Sequence, residues 1–357
     1  MASSSGRGLV HLAAALDLSS SYDERSCAEA AQLAERGGLD FVTLDDTFAR
    51  PGLDALSVLS RVAAATDRIG LVPVATPHTE PFHVPAGVAV LDRVSGGRAG
   101  WWTDVTNAGG EAPPPGRRRT RPVGALSQET GEVVAYAGAE SGDRRVDGAG
   151  MPAAPSEDRA GRHRVDVRGV SSSAKAPRLT VPGPPHGRPV RVVDATDEPA
   201  RGAAARYADV ALVRAASAAQ AAAVRDQIRA AAAEFGRRPE EPRVLAGLLV
   251  DLGDGEHAAE PGHGGGGPRQ TARGPLYRGG PVDLAELIAT WHGEGVVDGF
   301  HLTPAESPRD LERLVNGTVA VLQHRGLFRT FYPGSTLREH LGLAGPARQG
   351  AGHGRAS

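Results

Sequence analysis

The sequence has few aromatic residues and a single cysteine. Aromatic side chains make up 4 % of the 357 residues, so a hydrophobic core must be built mainly from Ala, Val and Leu. Cys27 is the only cysteine, which excludes an internal disulfide framework and is typical of a reducing compartment. Cys27 falls within a predicted helix, where a small apolar side chain most often serves packing.

The sequence also lacks a marked excess of charge and any long apolar run. Lys and Arg number 40 and Asp and Glu number 42, a formal net charge of −2 at pH 7. This balance gives no general attraction to nucleic acid or to an anionic membrane surface. No apolar run approaches the roughly 18 residues that a membrane-spanning helix needs, and residues 1–8 lack the apolar segment of a signal peptide. We therefore expect a cytoplasmic protein whose partners are neither nucleic acid nor membrane.

Short apolar segments alternate with amphipathic segments, a pattern that predicts parallel strands covered by helices. The predicted strands are Leu9–Leu16, Phe41–Leu44, Ile69–Val74, Arg98–Trp102, Val190–Val193, Asp209–Val213, Val244–Leu252 and Val297–Leu302. The predicted helices are Asp23–Arg36, Leu53–Thr66, Phe82–Val94, a weak one at Gly124–Ala137, Ala200–Tyr207, Ser217–Phe235, Val282–Gly293 and Pro308–His324. Eight strand–helix units are what a (β/α)₈ TIM barrel requires, and this length suits such a barrel with insertions.

Two segments rich in Gly and Pro interrupt the alternation, at about 107–187 and 253–280. We expect both to be irregular, apart from a short strand at Arg164–Arg168, because they bury too little apolar surface to offset the entropy of ordering. The chain is then one domain over residues 1–343 with a disordered tail at 344–357. His257 and His263 lie in the second segment among mostly glycine neighbours, with no cysteine to complete a metal set, so we predict no metal site.

Several polar and aromatic residues lie at or just after the carboxyl ends of the predicted strands, where barrel enzymes place their active sites. They are Asp46, Thr76, His78, Trp101, Trp102, Thr103, Thr196 and His301. Purely structural roles remain open for some of them. Asp46 is also suited to capping a turn, Trp101 to packing beneath the helices, and His301 to packing inside the barrel.

Six sequence blocks, in this order, resemble one known family. They are AERGGLDFVTLDDTFA from Ala34, the segment Leu53–Trp102 with its SGGRAGWW ending, PHGRPVRVV from Pro185, AARYADVAL from Ala204, VVDGFHL from Val296, and LQHRGLFRTFYPGSTLREHLGL from Leu322. The chain resembles the bacterial-luciferase-like flavin monooxygenases, and within them the branch of nitrilotriacetate monooxygenase and the large subunit of pristinamycin IIA synthase.

The resemblance implies a dimeric TIM barrel that takes reduced FMN from a separate flavin reductase and uses O₂ to oxidise an organic small molecule. It places the flavin over the carboxyl ends of the strands, with its phosphate near Thr196. The implied flavin contacts are an apolar wall from Trp101 and Trp102, and polar contacts from Asp46, Thr76 and Thr103. His78 and His301 are the candidates for proton handling.

Two departures from the family pattern leave other functions open. The family's phosphate loop, Ala-Gly-x-Ser-x-x-Gly, is here Asp194–Pro199, without glycine and with three carboxylates; we expect these to weaken phosphate binding and removal of Asp194 to strengthen it. The helix after the fourth strand lacks the family's aromatic residues. One alternative is a non-catalytic barrel that binds a ligand or partner subunit without any flavin. Another is an oxidoreductase that uses F420, whose polar tail would meet Arg117–Arg119.

Overall fold

The computed structural model describes residues 8–16, 24–45, 54–75, 83–103, 162–164, 180–182, 188–253 and 267–344. The strands, in chain order, are β1 (His11–Ala15), β2 (Phe41–Asp45), β3 (Gly70–Ala75), β4 (Gly100–Thr103), β5 (Arg162–Arg164), β6 (Thr180–Pro182), β7 (Val190–Asp194), β8 (Val210–Val213), β9 (Arg243–Leu252), β10 (Arg269–Thr271), β11 (Gly274–Gly279) and β12 (Gly299–Pro304).

Eight of these strands form a closed parallel barrel, which confirms the predicted fold. Their order is β1, β2, β3, β4, β7, β8, β9 and β12, and β12 pairs in parallel with both β9 and β1. Ala13 shows the register, since it lies beside His301 on one side and Phe41 on the other. The strands therefore share one direction, and all their carboxyl ends open on the same side.

Helices cover the outside of the barrel. They are α1 (Glu24–Arg36), α2 (Ala55–Ala65), α3 (His83–Ser95), α4 (Glu198–Tyr207), α5 (Ala218–Glu234), α6 (Pro281–Gly293), α7 (Arg309–Arg313), α8 (Ala320–His324) and α9 (Leu337–His340), with a π-helical turn at Leu314–Val319 joining α7 to α8. Asp54 and Ser217 cap α2 and α5 by accepting backbone N–H bonds, as their side chains favour. The helix predicted at Gly124–Ala137 lies outside the described residues. Within the part of the chain described here, no helix is both long and apolar enough to cross a membrane.

Two apolar clusters fill the space on either side of the strands. The outer cluster joins the barrel wall to the helices, and the inner cluster lies inside the barrel. Leu337 of α9 belongs to the inner cluster and closes the amino end of the barrel. A Cβ atom on Gly70 would come within 2.6 Å of Leu337, and one on Gly100 within 3.3 Å, so glycine at the start of β3 and β4 admits this side chain.

The segment predicted to be irregular at 253–280 contains a strand pair, and that part of the prediction is wrong. β10 and β11 pair antiparallel, and β11 pairs in parallel with the end of β9, placing Leu276 beside Leu249. The reason is the length of β9, which runs ten residues and extends past β8. β11 pairs with the exposed edge of β9, and Tyr277 of β11 is buried there.

The first insertion differs from its prediction in one detail. β5 pairs antiparallel with β6, whereas the sequence predicted a strand at Arg164–Arg168. The two ranges share only Arg164. Residues 104–161, 165–179, 183–187 and 254–266 of the two insertions, and the tail from 345, lie outside the described residues.

Three aspartates that each precede a strand tie neighbouring strands together at the amino end of the barrel. Asp40, Asp209 and Asp298 stand immediately before β2, β8 and β12. Their carboxylates accept the backbone N–H groups of Leu12 at 2.8 Å, Arg191 at 3.0 Å and Val244 at 2.8 Å, each on the adjacent strand. Each carboxylate also pairs with an arginine side chain.

Asp40 illustrates the electrostatics of this arrangement. Its side chain is fully buried, which by itself raises the pKa of a carboxyl group. The neighbouring His11 and Arg329 outweigh burial and hold the pKa of Asp40 below its ordinary value. The carboxylate is therefore charged at neutral pH and fixes the start of β2 to β1.

Arg98 joins two helices and two strands from a buried position. Its side chain is 3 % exposed and donates five hydrogen bonds. Nε donates to Ser95 O at 2.7 Å, Nη1 to Thr66 Oγ1 and Ile69 O at 2.9 Å, and Nη2 to Ala63 O and Thr66 O at 2.9 Å. The guanidinium thus satisfies carbonyl groups at the end of α2, before β3 and at the end of α3.

Replacing Arg98 with Met should lower the free energy of unfolding by about 3 kcal/mol or more, because several buried carbonyls lose their donor. Urea unfolding followed by circular dichroism measures the change. Arg93→Met, at an exposed position on α3, is the matched control and should change stability by no more than about 0.5 kcal/mol. Equal stabilities of the two variants would contradict the role given to Arg98.

Candidate functional site

The carboxyl ends of β7 and β8 are joined by two hydrogen bonds and one ion pair among three residues. Arg214, which follows β8, pairs through Nη2 with Oδ2 of Asp194 at 3.1 Å. Oδ1 of Asp194 accepts the N–H of Thr196 at 3.0 Å, and Oγ1 of Thr196 accepts the N–H of Arg214 at 3.0 Å. Thr196 is thereby held at the mouth of the barrel, and its hydroxyl keeps its own proton to donate.

The surroundings of Asp194 do not support the prediction that its carboxylate repels a bound phosphate. The side chain is instead completely buried and neutralised by Arg214, whose own side chain is 39 % exposed. Removing Asp194 would leave Arg214 without its ion-pair partner, so the tighter FMN binding expected from that substitution is no longer predicted.

The start of α4 offers few backbone donors to a phosphate. Asp197 precedes the helix without a side-chain capping bond, Pro199 has no N–H group, and the N–H of Ala200 is bonded to Asp197 O at 3.1 Å. Arg201 adds positive charge at this position and donates to Thr196 O at 3.0 Å. In place of a glycine turn, this loop therefore presents a hydroxyl with an arginine on either side.

The two adjacent tryptophans point to opposite sides of β4, as successive residues of a strand must. Trp101 packs in the outer cluster against the helices, and Trp102 lies in the inner cluster. They do not form one wall, and the location of Trp101 does not support the flavin contact predicted for it. Trp102 remains a candidate flavin contact, because its Nε1 is buried and has no hydrogen-bond acceptor among the described residues. β4 ends at Thr103.

His301 lies inside the barrel, in the middle of β12 and not at its end as predicted. Its Nε2 is 2.9 Å from Thr43 Oγ1, and its ring meets Trp102 edge to face with centroids 5.3 Å apart. Burial, followed by the charge of Arg214, lowers the pKa of His301 to about 3. The imidazole is therefore neutral at pH 7, which does not favour the proton-handling role and suits the floor of a ligand site.

Arg214 is the residue that the sequence analysis missed. The side chain of Arg214 passes close to Gly247, which pairs with His301 across β9 and β12. A Cβ atom at Gly247 would lie 3.3 Å from Arg214 Cγ. Gly247 thus gives the arginine stem room to cross β9 beside the inner cluster. The only sequence signal was an arginine directly after a strand.

The predicted site residues Asp46, Thr76 and His78 lie outside the described residues and stay predictions.

The fold defines a TIM-barrel protein, and the arrangement of Asp194, Thr196 and Arg214 makes the carboxyl ends of its strands the candidate ligand site. The profile of the luciferase-like monooxygenase family matches residues 9–103 and 157–319, more than half of the chain. The chain belongs to this family, as its sequence blocks implied, and the family is one of flavin-dependent enzymes.

Individual relatives resemble the chain over nearly its whole length. Nitrilotriacetate monooxygenase component A of Aminobacter aminovorans is 29 % identical, with 89 % of this chain and 90 % of the relative covered. N-acetyl-S-(2-succino)cysteine monooxygenase of Bacillus subtilis is 27 % identical over 90 % of each chain. The solved structure of EDTA monooxygenase from Chelativorans sp. BNC1 matches with a TM-score of 0.69 at 20 % identity, covering 94 % of this chain and 99 % of that one, which supports the fold.

The low pKa of His301 predicts a pH-dependent stability. Between the ordinary pKa of 6.5 and about 3, the unfolded chain binds a proton at this residue that the folded chain excludes. The free energy of unfolding should therefore fall as the pH falls below 6.5, by up to about 1.4 kcal/mol per pH unit from this group. His301→Gln should reduce that slope. Urea unfolding at pH 7, 6 and 5 tests it, with the exposed His324 changed to Gln as the control. An unchanged slope in His301→Gln would refute the assignment.

The ion pair of Asp194 with Arg214 predicts a loss of stability on neutralisation. Asp194→Asn should lower the free energy of unfolding by about 1–3 kcal/mol, since the buried carboxylate of an ion pair is lost while the half-exposed arginine regains water. Asp197→Asn removes the same charge from an exposed residue of the same loop and should have little effect. Thermal or urea unfolding of both variants measures the change in the free energy of unfolding. Equal changes in the two variants would show that the buried ion pair does not contribute to stability.

Proposed function

We propose that the protein is the oxygenase component of a two-component monooxygenase. It takes reduced FMN from a separate flavin reductase and uses O₂ to oxidise an organic small molecule. Family membership supports the flavin-dependent class. The single structural observation that carries the placement of the flavin is the indole N–H of Trp102, buried inside the barrel without an acceptor among the described residues.

The residues present fit a flavin in two ways. A buried donor without a partner is costly in a folded protein, and a carbonyl or ring nitrogen of a flavin is a suitable acceptor for Trp102. At the other end, the Thr196 hydroxyl and the guanidinium groups of Arg201 and Arg214 suit a phosphate, since guanidinium pairs well with phosphate oxygens. When bound, reduced FMN supplies the electrons that activate O₂.

The remaining contributions of the protein follow from its own side chains. Trp102 orients the ring, and the neutral His301 with Thr43 forms a floor that is closed to water, because His301 is only 4 % exposed. The charge of Arg214 favours an anionic ring or an anionic substrate group at the mouth. Asp46, Thr76 and Thr103 remain proposed flavin contacts and His78 a proposed proton-transfer residue. We further propose a cytoplasmic homodimer that meets its reductase transiently.

A non-catalytic barrel is the rival function with a structural observation in its favour, namely the scarcity of free N–H groups at the start of α4. The F420 alternative depends on Arg117–Arg119, which lie outside the described residues. Flavin binding separates these functions.

The test is an anaerobic titration with FMN, reduced FMN and F420, followed by tryptophan fluorescence, and then O₂ consumption with NADH and a flavin reductase. We expect reduced FMN to bind. Trp102→Phe should weaken that binding about fivefold, the effect of losing one hydrogen bond of about 1 kcal/mol. Trp291→Phe, in the outer cluster against Phe300, is the matched control and should bind normally.

Three outcomes would count against the proposal. Binding of none of the three cofactors would establish the non-catalytic barrel. Preferential binding of F420 would establish the deazaflavin alternative. Equal weakening in Trp102→Phe and Trp291→Phe would show that the flavin does not use the buried indole of Trp102.

A further inference from the structure

A cavity lies at the amino end of the barrel, on the opposite side from the candidate flavin site. Its volume is about 470 Å³. It is bounded by the chain entering β7, β8 and β9, by the residues after α5, and by the carboxyl-terminal segment Gly342–Ala344. The cavity is larger than a single phosphate ion and falls in the size range of small-molecule sites.

The lining of this cavity carries a large excess of positive charge. Seven of its residues are arginines, and three, Asp209, Glu240 and Glu241, are acidic, which leaves a formal excess of four positive charges. The chain as a whole has a net charge of −2, so the excess is local. It contrasts with the one-to-one pairing of Arg229 with Asp298 elsewhere at this end of the barrel.

One buried carboxylate serves three of these arginines. Asp209 lies 3.3 Å from Arg338, 3.5 Å from Arg188 and 3.7 Å from Nε of Arg191. Burial lowers the pKa of Arg191 to about 10. The positive charges of Arg188, Arg237 and Arg338 lower the pKa further, whereas the negative charge of Asp209 raises it. The Nε atoms of Arg188 and Arg191 are buried without a hydrogen-bond acceptor among the described residues. The group has more donors than its own carboxylate satisfies.

Two further arginines bring charge without a carboxylate partner in the described part of the chain. Arg206 stacks over the rings of Tyr207 and Phe235, at 5.0 and 5.7 Å from their centroids. Arg243 donates only to backbone carbonyls, those of Leu341 at 3.1 Å and Gly342 at 3.2 Å. Both guanidinium groups are positioned by contacts that leave their charge uncompensated.

The remaining two arginines share Glu241, at 3.2 Å from Arg237 and 3.3 Å from Arg238. Arg237 is otherwise used structurally, since it donates to Ala205 O and Ala208 O at 2.8 Å. Arg238 is 76 % exposed at the rim. The cavity thus has a buried, cationic floor and exposed arginines around its opening.

We propose that this cavity is a binding site for a compact anion with two or more phosphate groups, such as a diphosphate ester. Guanidinium groups bind phosphate oxygens through paired N–H donors, and a multivalent anion supplies the negative charge that the lining lacks. The site lies at the end of the barrel away from the proposed flavin phosphate, and the inference does not depend on the proposed oxygenase activity.

Isothermal titration of the full chain with sodium pyrophosphate, at constant ionic strength, tests the proposal. We expect saturable binding together with a rise in the melting temperature. The double variant R206Q/R238Q changes two exposed residues and should bind about tenfold more weakly or worse, the effect of losing charged hydrogen bonds. The control R25Q/R93Q removes two charges from exposed helix positions outside the cavity and should bind as the wild type does.

Further measurements keep the outcome decisive. Circular dichroism checks that R206Q/R238Q is folded, and R243Q is a second variant that should also weaken binding. Thr196→Val, at the other end of the barrel, should leave pyrophosphate affinity unchanged, while FMN affinity should be unchanged in R206Q/R238Q. Failure of this site is thereby distinguished from failure of the flavin site.

Four results would overturn the proposal. They are the absence of saturable pyrophosphate binding, equal binding by R206Q/R238Q and the wild type, loss of binding in Thr196→Val alone, and binding of citrate or of a polyglutamate peptide as tight as that of pyrophosphate. The last result would assign the surface to carboxylates.

Discussion

The barrel depends on carboxylates buried at the points where its strands begin. A buried charge is costly unless it is paired and fully hydrogen-bonded, and Asp40 and Asp209 meet this requirement by joining a backbone N–H of the neighbouring strand to arginine side chains. Since each carboxylate bonds to one particular N–H, it fixes the register of a parallel pair. The relative positions of the carboxyl ends in these pairs, including β7 and β8 at the candidate site, follow from that register.

The two ends of the barrel use arginine differently. At the carboxyl end, Arg214 pairs with one buried aspartate and keeps part of its guanidinium in contact with solvent, an arrangement that both braces the strands and offers a charge to a ligand. At the amino end, several arginines share too few carboxylates, so stability alone does not explain their number. Ion pairs therefore join neighbouring segments at both ends of the barrel, and the proposed anion site takes up the excess positive charge at the amino end.

Much of the architecture was predictable because the spacing of apolar residues along the chain indicates where strands and helices form. The eight strands lie where the alternation placed them, with bounds shifted by a few residues. β11 escaped prediction because a Gly- and Pro-rich segment gives no periodic signal, and its strand forms only on the exposed edge of β9. Of the candidate site, the position of Thr196 beside the ends of β7 and β8 was foreseeable, whereas the sign of the effect of Asp194 was not, because its partner Arg214 is 20 residues away in the chain.

The sequence by itself determined the number and order of the barrel strands and the membership of the chain in its family, since these depend on spacing and on residue identity. Strand alternation places Trp101 and Trp102 on opposite sides of β4, which the predicted single wall from both residues did not take into account. Only the tertiary structure decided which of the two faces inward, that His301 is buried and neutral, and that seven arginines meet at one cavity. Those facts depend on contacts between distant segments, whose burial and charge no local pattern records.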